Sequence, residues 1–148
     1  MEEQKQVGFV TVSHSFDLLK KMSAVCPHII AKVNEKVIGY TLCMHPRFAG
    51  EISLLEPMFK EIDKVLPKHT KYMVMGQICI DKAYRNKGIF RKLYHKVAQA
   101  LGTEFDVIVT EVDTNNLRSL KAHYAIGFEH LKTQKSEGKT WELVVLII

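Results

Sequence analysis

The sequence predicts a mixed α/β (α+β) fold, a mostly antiparallel twisted sheet with helices on both faces, formed by one domain over residues 1–148. Three observations predict it. The centre of the chain has a strand, helix, strand pattern, which is typical of a parallel pair joined by a right-handed crossover. A hairpin pattern lies on each side of it. The 148 residues, 47% hydrophobic and 25% charged, suit one domain with a sizeable core.

The first half of the chain predicts two helices and a hairpin. Apolar residues recur at helical spacing over 16–25. Two β-rich runs follow, and the polar pair at 34–35 between them predicts the turn of a hairpin. The long connection 46–70 contains a further apolar periodicity that Pro57 begins and Pro67 ends, so a second helix is expected there.

The centre of the chain supplies the predicted parallel pair. Residues 72–80 are almost wholly apolar and predict a buried strand, in which Gly76 indicates a bulge or a close backbone approach. Amphipathic spacing over 89–101 predicts a helix, and 105–112 is a second β-rich run. These three elements form the strand, helix, strand unit.

The last third of the chain predicts one helix and one hairpin. Asn116 is a suitable N-cap and Gly127 a suitable helix end. Two β-rich runs then flank the turn signal "SEGK". The sheet therefore gains a second hairpin.

Composition limits the classes of function. The formal charge of +5 and the isoelectric point near 9.1 favour an anionic partner without identifying one. The three cysteines, Cys26, Cys43 and Cys79, form no CxxC pair, and the seven histidines lack zinc-ligand spacing, so we expect reduced thiols, no metal and a cytoplasmic location. No apolar segment is long enough to span a bilayer, so no membrane is expected as a partner.

A compact cluster of positive charge surrounds one glycine in "DKAYRNKGIFRKL". A helix that begins directly after a buried strand directs unpaired backbone N–H groups at the bend, where anions bind. Gly88 permits close approach, and Arg85, Lys87 and Arg91 add formal charge. A diphosphate fits this pattern. The alternative is a solvated helix start in which Gly88 only relaxes the turn. Neither a Walker loop nor a G-x-G-x-x-G motif occurs.

Residues 72–128 resemble the GNAT superfamily of acyl-CoA-dependent N-acetyltransferases. In that family a buried strand leads into an R-x-x-G-x-G/A bend, and here "RNKGIF" occupies the bend at 85–90. The family's second motif is N-x-x-[AS]-x-x-x-Y-x-x-x-G-F. Its counterparts in this chain are Asn116, Ser119, His123, Gly127 and Phe128.

The resemblance implies how acetyl-CoA binds. Backbone N–H groups of 86–91 would hold the pyrophosphate, and the pantetheine arm would run beside Ile78, Cys79 and Ile80 in a slot opened by splaying of the two parallel strands. A backbone N–H near Ile78 or Cys79 would stabilise the oxyanion. The cofactor-binding residues expected on this basis are Ile78, Cys79, Ile80, Arg85, Asn86, Lys87, Gly88, Ile89, Phe90, Arg91, Asn116 and Ser119.

Several positions depart from the family pattern. Phe90 replaces a glycine or alanine and Asn86 a common glycine, and helical spacing predicts that the Phe90 ring enters the core. His123 replaces the tyrosine that often protonates the departing thiolate. Histidine suits that task, although packing against the sheet is an equally good interpretation. Tyr124 is the neighbouring catalytic candidate, but its place on the apolar stripe predicts burial.

The general base is the third departure. The family often uses a glutamate on the strand before the bend, where this chain has Gln77. Glu111 and Asp113, at the end of the next strand, are the nearest carboxylates in the expected cleft. The alternative, which we rank above catalysis, is exposure at a strand end with capping of the following helix. His45 and Glu56 are candidates for the acceptor side.

The beginning of the chain leaves two interpretations open. The segment "VGFVTV" at 7–12 is the family's first strand, or that strand is missing. A missing edge strand would leave sheet hydrogen bonds to a partner chain, so a homodimer is a reasonable expectation.

The leading hypothesis is an N-acetyltransferase that moves acetyl from acetyl-CoA to a primary amine by direct attack in a ternary complex. An acyl-CoA-binding sensor without strong turnover is the alternative. Cys79 as an acyl carrier is less favoured, because a thiol buried in an apolar strand is a poor nucleophile. We expect no nucleic-acid partner, since the basic cluster is compact and its aromatic residues fall on the core stripe.

Overall fold

The structure is a computed structural model that describes residues 13–148. The helices of this region are α1 (Phe16–Val25), α2 (Glu56–Val65), α3 (Ile89–Leu101) and α4 (Leu117–Ala125). The strands are β1 (Ile30–Val33), β2 (Lys36–Met44), β3 (Tyr72–Ile80), β4 (Val107–Asp113), β5 (Glu129–Ser136) and β6 (Lys139–Ile147). None of the described helices is long and apolar enough to cross a bilayer.

The six strands form one mixed sheet in the order β1-β2-β3-β4-β6-β5. β3 and β4 are parallel, and the other neighbouring pairs are antiparallel. α3 connects the parallel strands, as the sequence predicts. The predicted fold class is therefore confirmed.

The two predicted hairpins are present. Asn34 and Glu35 have φ values of 48° and 70°, and Glu137 and Gly138 have 53° and 73°. Positive φ at both central residues is the signature of the type I′ turn, whose twist matches that of paired strands. The candidate first strand at 7–12 lies outside the described residues.

Apolar clusters cover both faces of the sheet. One cluster joins side chains of α1 and α2 to the sheet, including Met22, Phe59 and Ile62. The other joins α3 and α4 to the opposite face, including Tyr94 and Leu120. Helices therefore bury both faces, and the sheet is the middle layer of the domain.

A bulge interrupts β3 at Gly76, as its glycine predicts. Leu42 pairs with Gln77 and the next residue of β2 pairs with Met75, so Gly76 has no partner in this ladder. A Cβ at Gly76 would lie 2.5 Å from Cε of Met44, a distance that real Cβ atoms do not show. The absence of a side chain therefore permits the bulge, which reverses the alternation of faces along the rest of β3.

The parallel strands separate toward their carboxyl ends. Their backbone pairing covers 72–74 and 107–109. Just beyond it, the Thr110 hydroxyl donates to the carbonyl oxygen of Met75 over 2.8 Å. β3 then continues beside β2, and β4 continues beside β6. The divergence opens a slot alongside 77–80.

Candidate active site

A cavity of about 230 Å³ lies where β3 and β4 diverge. Its walls come from the last half of β3, the bend that follows, the end of β4 and the first turns of α4. Most of the residues predicted for the site line it, namely Ile78, Cys79, Ile80, Arg85, Asn86, Phe90, Glu111, Asn116, Ser119 and His123. The fold thus brings together residues that the sequence separates by up to 45 positions.

The bend between β3 and α3 presents backbone amides. Asn86 and Gly88 have φ values of 60° and 77°, in the left-handed region that glycine and asparagine adopt most readily. Gly88 is the N-cap of α3, which starts at Ile89, and no side chain caps this end. The first amides of the helix and its positive dipole end therefore face the bend without a competing side-chain acceptor.

The three cations predicted around this bend have different positions. Nε of Arg85 donates to the carbonyl oxygen of Ile80 over 3.1 Å, which holds this side chain at the cavity. Nζ of Lys87 lies 5.5 Å from the centroid of the Tyr84 ring. Nη2 of Arg91 donates to the carbonyl oxygen of Ala125 at the end of α4 over 3.2 Å, and its predicted role at the bend stays a prediction.

Phe90 packs inward, as its helical spacing predicts. Its ring meets Tyr94 edge-on at 5.2 Å and His123 at 4.9 Å, measured between ring centroids. It also forms part of the cavity wall. The ring is therefore held by core contacts rather than turned out over the bend.

α4 begins where the second family motif predicts. The side-chain oxygen of Asn116 accepts from the backbone N–H of Ser119 over 3.2 Å. This bond caps the helix, and Asn116 is also a wall residue of the cavity.

His123 is fully engaged inside the core. Only 2% of its surface is exposed. Nδ1 lies 2.7 Å from the carbonyl oxygen of Ser119, so Nδ1 carries the proton and donates it. Nε2 then accepts from the Tyr94 hydroxyl, also at 2.7 Å. Burial lowers the pKa of His123 to about 4, so the ring is neutral near pH 7. These contacts favour packing over the general-acid role.

Tyr124 lies away from the cavity. Its side chain is 39% exposed, so the predicted burial is wrong. Its hydroxyl donates to Oε2 of Glu142 on β6 over 2.7 Å. Partial burial and this carboxylate raise the pKa of Tyr124 to about 12. The tertiary contact with β6, which the helical pattern does not encode, draws the side chain to the surface.

Glu111 is a half-buried carboxyl group on the cavity wall. Its Oε2 accepts from Nε2 of Gln134 over 2.6 Å. Burial raises the pKa of Glu111 to about 7, against the smaller opposing effect of that hydrogen bond. A carboxyl group with such a pKa is present in both forms near neutrality, which suits a group that accepts a proton.

Asp113 has partners already in place. Only 3% of its surface is exposed. Oδ2 lies 3.6 Å from Nζ of Lys139, and Oδ1 accepts from the backbone N–H of Asn115 over 2.9 Å. The exposure expected for both strand-end carboxylates is therefore wrong, because β6 and the turn into α4 cover this end of β4.

Gln77 and Cys79 share a neighbour on β2. The Tyr40 hydroxyl donates to Oε1 of Gln77 over 3.2 Å. Burial, and then contact with Cys79, raise the pKa of Tyr40. A neutral amide held by a neutral phenol therefore occupies the position where the family often has glutamate.

The two candidates for the acceptor side do not reach the cavity. Nδ1 of His45 accepts from the backbone N–H of Arg47, and its ring meets Phe105 edge-on at 5.8 Å. Phe105 precedes β4, so His45 lies at the opposite end of that strand from Glu111. Glu56 pairs with Lys60 in the first turns of α2 over 3.5 Å.

Sequence reasoning missed several residues of the site, and three of them have polar or aromatic side chains of particular interest. Arg118 and Trp141 line the cavity, and Gln134 binds Glu111. Arg118 had a local signal, because a cation in the first turn of a helix opposes the helix dipole. Trp141 and Gln134 had none, since the pairing of β6 with β4 and of β5 with β6 brings them to the site.

Comparison with known proteins identifies the family. The model of the acetyltransferase (GNAT) family matches residues 2–128. The chain belongs to this family. The GNAT match covers both motifs of the sequence and the whole wall of the cavity except Trp141. A comparison with curated proteins found no match.

Solved structures share the GNAT fold at low identity. The NatC complex bound to Gag peptide and CoA matches with a TM-score of 0.68 and 16% identity, over 94% of this chain and 83% of that one. The protein smu.2055 from Streptococcus mutans matches with a TM-score of 0.67 and 15% identity, over 97% of this chain and 84% of that one. A putative streptothricin acetyltransferase from Bacillus anthracis in complex with acetyl coenzyme A matches with a TM-score of 0.61 and 17% identity, over 82% of this chain and 61% of that one.

Proposed function

We propose that this protein is an N-acetyltransferase that moves acetyl from acetyl-CoA to a primary amine by direct attack in a ternary complex. One observation carries the proposal: a single cavity joins a helix start able to bind phosphate to Glu111, a carboxyl group with a pKa near 7. Two solved GNAT relatives hold CoA or acetyl-CoA, which supports the choice of donor.

The donor binds along β3 in this proposal. Amides of 86–91 hold the pyrophosphate, and the pantetheine arm lies in the slot beside Ile78, Cys79 and Ile80. The missing backbone pairing between 77–80 and β4 supports this path, since it leaves an edge of β3 beside the slot. A backbone N–H near Ile78 or Cys79 stabilises the oxyanion, a contribution on the order of 3 kcal/mol for such donors.

Glu111 acts as the general base. The amine nitrogen attacks the thioester carbonyl carbon and forms the C–N bond, Glu111 takes the proton that the nitrogen loses, and the C–S bond breaks to release the thiolate. Gln134 is the hydrogen-bond partner of Oε2 of Glu111, which leaves Oε1 for the acceptor. Solvent protonates the thiolate, because both nitrogens of His123 are engaged.

The proposal extends to location and assembly. Cys26, Cys43 and Cys79 are free thiols, which supports the cytoplasm as a reducing compartment. A homodimer remains part of the proposal, because β1 is one of the two edge strands of the described sheet. Light scattering of the purified protein at micromolar concentration tests it, and a monomeric mass contradicts it.

An acyl-CoA sensor is the second candidate, and Gln77 favours it, since a neutral amide there removes the base that the family often uses. Release of free thiol from acetyl-CoA, measured across polyamines, aminoglycosides, amino acids and peptides, separates the two. The enzyme releases thiol in proportion to one class of amine. A sensor binds without release, and coenzyme A at 100 times its Kd stabilises it by about 2.7 kcal/mol. If the protein neither releases thiol nor is stabilised by coenzyme A, both candidates are contradicted.

A further inference from the structure

A groove of about 560 Å³ lies between α2 and β5. Its walls are one face of α2, over residues 57–64, and residues 132–136 of β5, and we call it the α2–β5 groove. Gln134 lines this groove, and Nε2 of the same side chain donates to Oε2 of Glu111 on the cavity wall. The groove therefore adjoins the cavity at the proposed general base.

Glu111 points to the side of the sheet that α2 covers. β4 pairs with β6 without a break in register, so its side chains alternate regularly between the two faces. Val109 packs in the cluster with α1 and α2, whereas Ile108 and Val112 pack in the cluster with α3 and α4. Glu111 is in the row of Val109. The bend proposed for the donor leads into α3 on the opposite face, so an acceptor approaches Glu111 from the side of α2.

Lysines determine the charge of the α2–β5 groove. Its described lining residues include four cations and one carboxylate, namely Lys60, Lys64, Lys132, Lys135 and Glu61. Lys64 and Lys132 share Glu61, and Lys60 pairs with Glu56 in the preceding turn over 3.5 Å. Four lysines against two glutamates leave a net charge of +2 after both carboxylates are counted. One carboxylate shared by two lysines does not neutralise both, so the groove suits an anionic ligand.

The groove follows the edge of the sheet. All residues of 132–136 line it, and β5 is an edge strand of the described sheet. Because successive side chains point to opposite faces, a groove lined by all of them runs along the open edge of the strand. Such an edge presents backbone groups that an extended peptide can pair with. None of the described lining residues is aromatic, so the stacking contacts that single-stranded nucleic acid uses are missing from these walls.

We propose that the α2–β5 groove binds acidic residues of a peptide whose primary amine is the acceptor at Glu111. This inference rests on the proposed function and names its acceptor class. The acceptor is an acidic peptide rather than a polyamine or an aminoglycoside, which the lysines repel. The transfer step is unchanged: the peptide amine forms the C–N bond, Glu111 takes the proton, and the C–S bond breaks to release the thiolate.

Three matched hexapeptides test the acceptor class. Each has a free N-terminal amine, and they differ only in a central run of glutamate, glutamine or arginine residues. The wild type should acetylate the glutamate peptide with the highest kcat/KM and the arginine peptide with the lowest. Raising the ionic strength to about 1 M, where the Debye length is about 3 Å, should reduce this preference.

Charge reversal in the groove tests the binding surface. Lys135→Glu should lower kcat/KM for the glutamate peptide by about 2-fold to 25-fold, because an exposed ion pair contributes about 1.4-fold to 5-fold and reversal adds a repulsion of similar size. KM should change and kcat should not, since the contact is remote from the reacting atoms. The same variant should improve the arginine peptide, a gain that structural damage does not produce. Lys60→Glu makes the same change on the opposite wall.

The matched control is Lys96→Glu, at an exposed position of α3 on the other face of the sheet. It changes the net charge by the same amount and should leave the order of the three peptides and their kcat/KM values unchanged. A similar response of Lys96→Glu and Lys135→Glu would indicate an effect of net charge alone and would overturn the assignment of the groove.

Three other results overturn the inference while the proposed function stands, because acetyl transfer still occurs. The wild type acetylates the neutral or basic peptide as well as the acidic one, or it acetylates a small amine and no peptide. In the third, reversal at Lys60 and at Lys135 changes kcat/KM equally, or not at all, for all three peptides.

Failure of every amine to release thiol from acetyl-CoA contradicts the proposed function, and direct binding then decides the groove. A fluorescein-labelled glutamate peptide should bind more tightly than the arginine peptide by fluorescence anisotropy, and Lys135→Glu should reverse that order. Equal or weaker binding of the glutamate peptide overturns the inference. Displacement of that peptide by an RNA oligonucleotide at a lower concentration than by unlabelled peptide would assign the groove to nucleic acid and also overturns it.

Discussion

Replacing Glu111 with glutamine should lower activity and should raise the free energy of unfolding, relative to that of the wild type, as the pH rises. The folded protein raises the pKa of Glu111 from 4.5 to about 7. The folded state therefore holds this proton more tightly than the unfolded chain does. The raised pKa of Glu111 contributes about 3 kcal/mol to the free energy of unfolding for a shift of this size. This contribution is fully present below pH 4.5 and is lost as the pH rises through 7.

The glutamine side chain of the Glu111→Gln variant cannot ionise, so the free energy of unfolding of the variant does not fall with pH through this group. Its amide oxygen can still accept from Gln134. The free energy of unfolding of the variant minus that of the wild type should therefore increase by about 2.5 kcal/mol between pH 5 and pH 8. Urea unfolding at the two pH values measures it, and subtraction cancels the other titrating groups. Glu129→Gln, at an exposed position of β5, controls for removal of one carboxylate.

Activity should change in the opposite direction. Loss of a general base lowers kcat by about 100-fold to 10,000-fold. The ratio of wild-type to variant kcat/KM should rise with pH through about 7, and ionisation of the acceptor amine cancels in that ratio. The reasoning is refuted if the stability difference is the same at pH 5 and pH 8, or if the variant keeps wild-type turnover.

Three further substitutions test the core and the bend, each by urea unfolding. His123→Phe should lower the free energy of unfolding by about 1–3 kcal/mol, because the buried Tyr94 hydroxyl loses its acceptor; kcat should stay within about threefold, and a large drop in kcat at unchanged stability would restore the general-acid role. Gly88→Ala should cost about 1 kcal/mol, because φ is 77°, and no loss would argue against this backbone conformation. Gly76→Ala should cost about 1–3 kcal/mol, because the new Cβ would lie 3.2 Å from the backbone carbonyl oxygen of Leu42 and the buried Met44 side chain would have to move, and a neutral result would contradict the close approach.

Local pattern was sufficient for much of the fold. The period of apolar residues located α3 within its observed bounds, and the polar pair at 34–35 located a type I′ turn. The glycine at 76 indicated the bulge of β3 correctly. These features depend on a few neighbouring residues, so a single sequence contains their cause.

Properties of the site that arise from tertiary contacts were not predictable. The raised pKa of Glu111 depends on burial, and its hydrogen bond with Gln134 depends on the pairing of β4 with β6 and of β6 with β5. Helical spacing cannot show that Arg91 reaches the end of α4, or that Tyr124 reaches β6. The motif fixes the position of His123 and leaves open which groups meet its two nitrogens.

A crystal structure of the protein with coenzyme A tests the central claim most directly. The account predicts pyrophosphate oxygens within about 3 Å of amide nitrogens of 86–91, a hydrogen-bond distance, with the pantetheine arm between β3 and β4. Coenzyme A bound elsewhere, or a Phe90 ring turned out over the bend in its place, would contradict it.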